Sequence, residues 1–194
     1  MTDTIAGRAK GFLLNPVETF RRSGTDAPAS VFTYFGALLL VNAILSALVA
    51  AAMGFGSAMT LAGLPDGAVA PVLVFFLVLA GGFILTLIAA AWVHLWVYLL
   101  GGRRGIMRTI TAVFCAGTPG LLLGWIPLIG LIFLLWSLVL LVPGIRELQE
   151  LTTGKAIIAI AISGIIPLAI IVLSVSYFTV TTPATAPVMI ISPE

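Results

Sequence analysis

The pattern along the chain is a succession of long uncharged apolar stretches separated by short polar or glycine-rich ones. A helix needs about 20 apolar residues to cross a hydrocarbon core of about 30 Å, and five stretches predict such spans. The first runs from about Val31 to Met53. Ala43, Ser46, Ala47 and Ala50 give it a small-residue face suited to close packing in lipid, and Phe32, Tyr34 and Phe35 stand at its start, where rings favour the headgroup zone. A loop rich in glycine and proline, Gly54 to Val69, follows. The second span, about Ala70 to Leu100, is longer than a bilayer requires and ends in a second group of interfacial rings, Trp92, Trp96 and Tyr98. As one helix, the uncharged region from Thr109 to Val142 would be about 51 Å long, too long for one crossing. Pro119, Gly120, Gly124, Pro127 and Gly130 interrupt it. It reads as a hairpin turning at Gly124-Trp125-Ile126-Pro127, with spans at about 109–123 and 128–142. A re-entrant pair shielded by protein is the alternative. Polar residues from Pro143 to Lys155 lead to a fifth span, about Ala156 to Phe178, which Pro167 can kink and Tyr177 and Phe178 close at an interface.

The predicted fold is therefore an all-α, polytopic transmembrane bundle of five spans. Residues 1–30 form an N-terminal segment and 179–194 a tail. Within that segment, Ile5 to Arg22 is weakly amphipathic. Phe12, Leu13, Val17 and Phe20 share a face toward the membrane, and Pro16 opens a second helical piece, so a membrane-surface helix is expected.

Composition agrees: 61% of residues are hydrophobic and 8% charged, against about 25% charged in soluble domains. The placement of charge says more than the net +2. All nine lysines and arginines lie in three segments: Arg8, Lys10, Arg21 and Arg22 before the first span, Arg103, Arg104 and Arg108 between the second and third, and Arg146 and Lys155 between the fourth and fifth. The other side holds only Asp66 and Glu194. The positive-inside rule puts the N-terminus in the cytoplasm and the C-terminus outside. Nine dispersed basic residues make a poor track for phosphates, which argues against nucleic acid as a partner. The first 30 residues lack a signal-peptide pattern, so the first span is expected to serve as an uncleaved anchor.

Candidate chemistry is sparse. Cys115 is the single cysteine and His94 the single histidine, so no disulfide and no cysteine- or histidine-rich metal site is expected, and no cofactor. Cys115 reads as a small buried hydrophobe. No span contains an aspartate or glutamate, and neither a serine-hydrolase elbow nor a phosphate loop occurs, which weighs against an enzyme. His94 and Asn42 are the intramembrane polar candidates. His94 suits an interfacial contact or a proton path, Asn42 a bond to a neighbouring helix or a substrate. Gly120 and Gly124 have helix-approach spacing, here overlapping the turn. Arg103, Arg104 and Arg108, with Arg146 and Glu147, are candidates for binding lipid headgroups or partner carboxylates, and Arg146 and Glu150 are spaced to pair along one helix.

Three pieces resemble the prokaryotic branch of the Yip family, the Ypt/Rab-interacting membrane proteins. They are Asn15-Pro16-Val17-Glu18-Thr19-Phe20; Gly105-Ile106-Met107-Arg108-Thr109 running into Cys115-Ala116-Gly117-Thr118-Pro119; and Trp136-Ser137-Leu138 with Gly144-Ile145-Arg146-Glu147-Leu148 and Thr153-Gly154-Lys155-Ala156. Thr118 stands where the family often has a tyrosine, and the acidic N-terminal region of eukaryotic relatives has no counterpart, so Rab binding is not carried over. The resemblance implies five spans and a non-enzymatic membrane adaptor in the cytoplasmic membrane of a bacterium or archaeon. Its expected partners are membrane lipids, other membrane proteins or a second copy. The alternative is a small transporter or channel, homo-oligomeric, with Asn42, His94, Thr118 and Ser137 along its path.

Overall fold

The computed structural model describes residues 4–53 and 69–181. The expected loop at 54–68 with Asp66, the tail from 182 with Glu194, and the side chains of Tyr177 and Phe178 lie outside the described residues. All regular structure among the described residues is helical. Two short helices, α1 (Ile5–Leu14) and α2 (Pro16–Ser23), precede α3 (Pro28–Met53). Next come α4 (Val69–Leu99), α5 (Ile106–Ala116), α6 (Thr118–Leu123), α7 (Ile129–Gln149) and α8 (Thr153–Thr181). Five segments are long and apolar enough to cross a membrane: α3, α4, the α5–α6 pair, α7 and α8.

The first two helices follow from local chemistry. Thr4 caps α1 by accepting the Gly7 N–H at 3.1 Å. Asn15 ends it, and Pro16 opens α2 at a position that needs no N–H. Of the four residues expected to face the membrane, Phe12 and Phe20 turn into the protein, while Leu13 and Val17 stay partly exposed. Phe12 and Phe20 are fully buried, with ring centroids 4.8 Å apart, and Phe12 lies 6.0 Å from Tyr34. Gly144 of α7 makes room for Phe20: a Cβ there would sit 3.0 Å from the ring. Protein covers these two rings because α1 and α2 fold back over the ends of α3 and α7. The expected aromatic belt is redirected in the same way. Tyr34 and Phe35 are buried, and Phe35 stacks on Phe114 of α5 at 3.8 Å.

Two proline breaks in the spans are repaired by side chains. Pro167 of α8 has no N–H for the carbonyl of Ser163, four residues earlier. The indole N–H of Trp92 donates to that carbonyl at 2.9 Å. Trp92→Phe is expected to cost about 1 kcal/mol, and the cost should largely vanish in a Pro167→Ala background, where the helix supplies its own N–H. Thermal unfolding in detergent would check this. Equal costs in both backgrounds would reduce Trp92 to a packing role.

Pro119 likewise orphans the Cys115 carbonyl, which the Thr118 hydroxyl satisfies at 2.6 Å. With its proton so used, Thr118 accepts from the Tyr34 hydroxyl at 2.8 Å. The α5–α6 break at Gly117 leaves the Gly120 N–H without a helical partner, and Ser137 of α7 accepts it at 3.0 Å. The turn between α6 and α7 falls at 124–128, with Leu128 at positive φ and almost fully exposed at its tip. Pro143 does not end α7, which continues to Gln149 where a polar link was expected from residue 143. Leu140, Leu141, Ile145 and Leu148 are buried along this stretch, and that packing offsets the lost bond.

Candidate functional site

The polar residues gather at the end of the bundle that carries α1 and α2. The link from α4 to α5 turns through Gly101 and Gly105, at φ 104° and 87°, a region that glycine enters without strain. Gln149, at the end of α7, clamps this link. Its Oε1 accepts the Arg104 N–H at 3.1 Å, and its Nε2 donates to the Gly105 carbonyl and to Thr109 Oγ1, both at 2.9 Å. Thr109 Oγ1 in turn lies 2.8 Å from His94 Nδ1. His94 is thus tied to a buried polar chain that ends at the basic link. Gln149 is 2% exposed and every polar group of its amide is matched, which fixes the link rigidly.

The clamp aims Arg104 across a cavity of about 190 Å³, open to solvent and lined by Arg21 and Gly24, Arg104 and Arg108, and Glu147, Leu148 and Glu150. Arg21 Nε donates to Glu147 Oε2 at 2.7 Å. Arg104 pairs with Glu150, which sits just past the helix end at positive φ. These hydrogen bonds and the charges behind them hold the Arg21 and Arg104 guanidinium groups above the ordinary arginine range, so both stay charged at any physiological pH. Arg108, half-buried, has no carboxylate partner among the described residues.

The structure brings Arg104, Arg108 and Glu147 to one cavity. Arg103 stays outside it, its guanidinium 3.8 Å from the Tyr98 ring centroid. Arg146 pairs with Glu147 and not with Glu150, since the turn to positive φ carries Glu150 off the helical register. Arg21 was not anticipated, because α2 reaches α7 only once Phe20 docks.

Nor was Arg8 anticipated. It is 9% exposed, pairs with Asp26 at 2.7 Å, donates to Ser23 and Ser30 at 3.3 Å each, and reaches Cys115 Sγ at 3.6 Å. Its guanidinium lies 4.7 Å from the Tyr34 ring centroid, a cation–π geometry. Cys115 is a free thiol buried in this cluster.

Asn42 lies elsewhere, on the wall of a mostly apolar groove of about 450 Å³ between α3, α4 and the α6–α7 hairpin. Its amide donates to the Leu121 carbonyl at 2.9 Å, on the helix that follows the break. Among the described residues no three acidic, cysteine or histidine side chains stand close enough to hold a metal ion. The arrangement as a whole presents oriented guanidinium donors to an anion.

The family model described as Yip1 domain matches residues 10–175 of the chain, which takes in α2 to α7 complete, the second half of α1 and most of α8. Neither a curated protein nor a solved structure matches it.

Proposed function

The chain belongs to the Yip1 domain family of integral membrane proteins, and we propose that it is a non-enzymatic membrane adaptor or organiser whose basic end binds in the cytoplasm. One observation supports this above others. Arginines from three separate elements converge, with the carboxylates of Glu147 and Glu150, around one open cavity. Charge segregation puts this end on the cytoplasmic side, where each arginine near an anionic surface is worth about 1 kcal/mol. Arg103 on Tyr98 and Arg146 on Glu147 extend the basic surface beyond the cavity. The partners that fit are membrane lipids, other membrane proteins or a second copy, in the cytoplasmic membrane of a bacterium or archaeon.

A transport path through Asn42, His94, Thr118 and Ser137 draws less support. Three of those side chains already serve backbone groups in or beside the broken third span, and redirecting them to a solute would unmake those bonds.

The test is photocrosslinking in native membranes from a reactive residue at position 103, outside the cavity. A discrete protein or lipid adduct is expected, its yield falling roughly thirtyfold when Arg104 and Arg108 are both changed to Gln, in line with about 1 kcal/mol for each of the two charges. Correct insertion with no adduct would sink the adaptor reading.

A further inference from the structure

We propose that the cavity between Arg21, Arg104 and Arg108 is a site for a single phosphate group. This rests on the basic end being a binding surface and deepens it by naming the ligand chemistry. The first argument is the unpaired cation. Arg108 lies in the cavity wall with no carboxylate of its own, while Arg21 and Arg104 are each held by one. Arg21 gives Nε to Glu147, and its two Nη groups have no partner among the described residues. Guanidinium forks from three elements therefore meet a ligand from three directions. A tetrahedral phosphate, with oxygens on every side, satisfies that geometry better than a planar carboxylate.

The second argument is room. A Cβ on Gly24 would lie 3.1 Å from the Arg21 carbonyl oxygen, 3.2 Å from Leu148 Cδ2 and 3.3 Å from Arg108 Nη1. Gly24 leaves the Arg108 guanidinium clear, and a side chain there would crowd it. The third is size and charge. About 190 Å³ admits one phosphate with a few waters and is too small for a peptide segment. Three arginines against two glutamates leave a net excess of one positive charge, which balances one phosphate monoanion and leaves most of the charge of a polyphosphate uncompensated. The phosphate can come from a lipid headgroup or from solution.

The experiment uses the full chain purified in detergent, with two arms. Native mass spectrometry compares retention of phosphatidic acid with that of oleate, an anionic lipid without phosphate. Thermal unfolding compares inorganic phosphate with chloride at equal ionic strength. Preferential retention of phosphatidic acid without an effect of inorganic phosphate assigns the site to a lipid. A rise in unfolding temperature with inorganic phosphate assigns it to a free phosphate. In either case Arg108→Ala should weaken binding about tenfold, as should Gly24→Val, which fills the cavity and keeps the charge. Lys10→Ala, an exposed charge on α1, should change nothing. Equal retention of oleate and phosphatidic acid with no effect of phosphate would overturn the proposal, as would binding indifferent to Arg108→Ala. A crosslinked protein partner at position 103 would survive that outcome, so the adaptor reading stands or falls separately.

Discussion

Gly130→Ala should destabilise the protein by about 2–3 kcal/mol, although alanine is the better helix former by about 1 kcal/mol. A Cβ at residue 130 would sit 2.3 Å from the Gly124 carbonyl oxygen and 2.9 Å from its carbon. Both are backbone atoms and cannot swing aside like a side chain. The glycine also donates its N–H to the Ile126 carbonyl at 2.7 Å, so retreat of the helix would break the bond that closes the turn. Overpacking of this kind outweighs propensity. Gly164, within α8, is the control, since a Cβ there meets nothing within 4 Å. Gly164→Ala should therefore raise stability by up to about 1 kcal/mol. Thermal midpoints in detergent read the contrast directly. If both alanines stabilised alike, the close approach of α7 to the turn would be wrong.

Phe20→Ala should have the second large effect, about 3–5 kcal/mol by the usual cost of deleting a buried phenyl ring. Phe20 is fully buried between Phe12 and Gly144, and it is the main anchor of α2 on α7. The Arg21–Glu147 pair beside it cannot hold the helix alone. Arg21 is 62% exposed, and exposed pairs contribute about 1 kcal/mol or less. The loss should fall on the local opening of α2. Trypsin cleavage at Arg21 and Arg22 would accelerate by roughly a hundredfold or more, a factor of ten for each 1.4 kcal/mol. Arg21→Ala, probed at Arg22, should change the rate only a few-fold. Unchanged cleavage in Phe20→Ala would mean that α2 is held by something other than its ring.

Much of the architecture was legible because lipid demands long uncharged helices, and charges then have few places to go. The interruption between Pro119 and Gly130 was readable too, since those residues cannot continue a straight helix. What stayed hidden was which group meets which. Arg8 reads as one more solvated cation beside a membrane. Its burial depends on α1 folding back so that Ser23, Asp26, Ser30 and Cys115, distant in sequence, surround it. Gln149 lay in a stretch that looked like a loop, and only the continuation of α7 through Pro143 turns it into the clamp of the basic link. Among the nominated arginines, Arg104 and Arg108 reached the cavity and Arg103 did not. The difference is one residue's direction between two glycines at positive φ, Gly101 and Gly105, which apolar periodicity does not encode.

The broken third span also sets an order of manufacture. The Gly120 N–H is satisfied by Ser137, 17 residues downstream, which at about 5–20 residues per second emerges roughly one to three seconds later. Until then this segment would carry an unmatched donor into lipid, at a cost of several kcal/mol. Residues 106–123 should therefore wait at the insertion machinery and leave it together with 129–149, as one unit. The donors supplied from upstream, Asn42 for Leu121 and Trp92 for Ser163, are by then already in place in the bilayer. Biogenesis thus runs with each cap laid down before the break it closes, except at the hairpin, which must close its own.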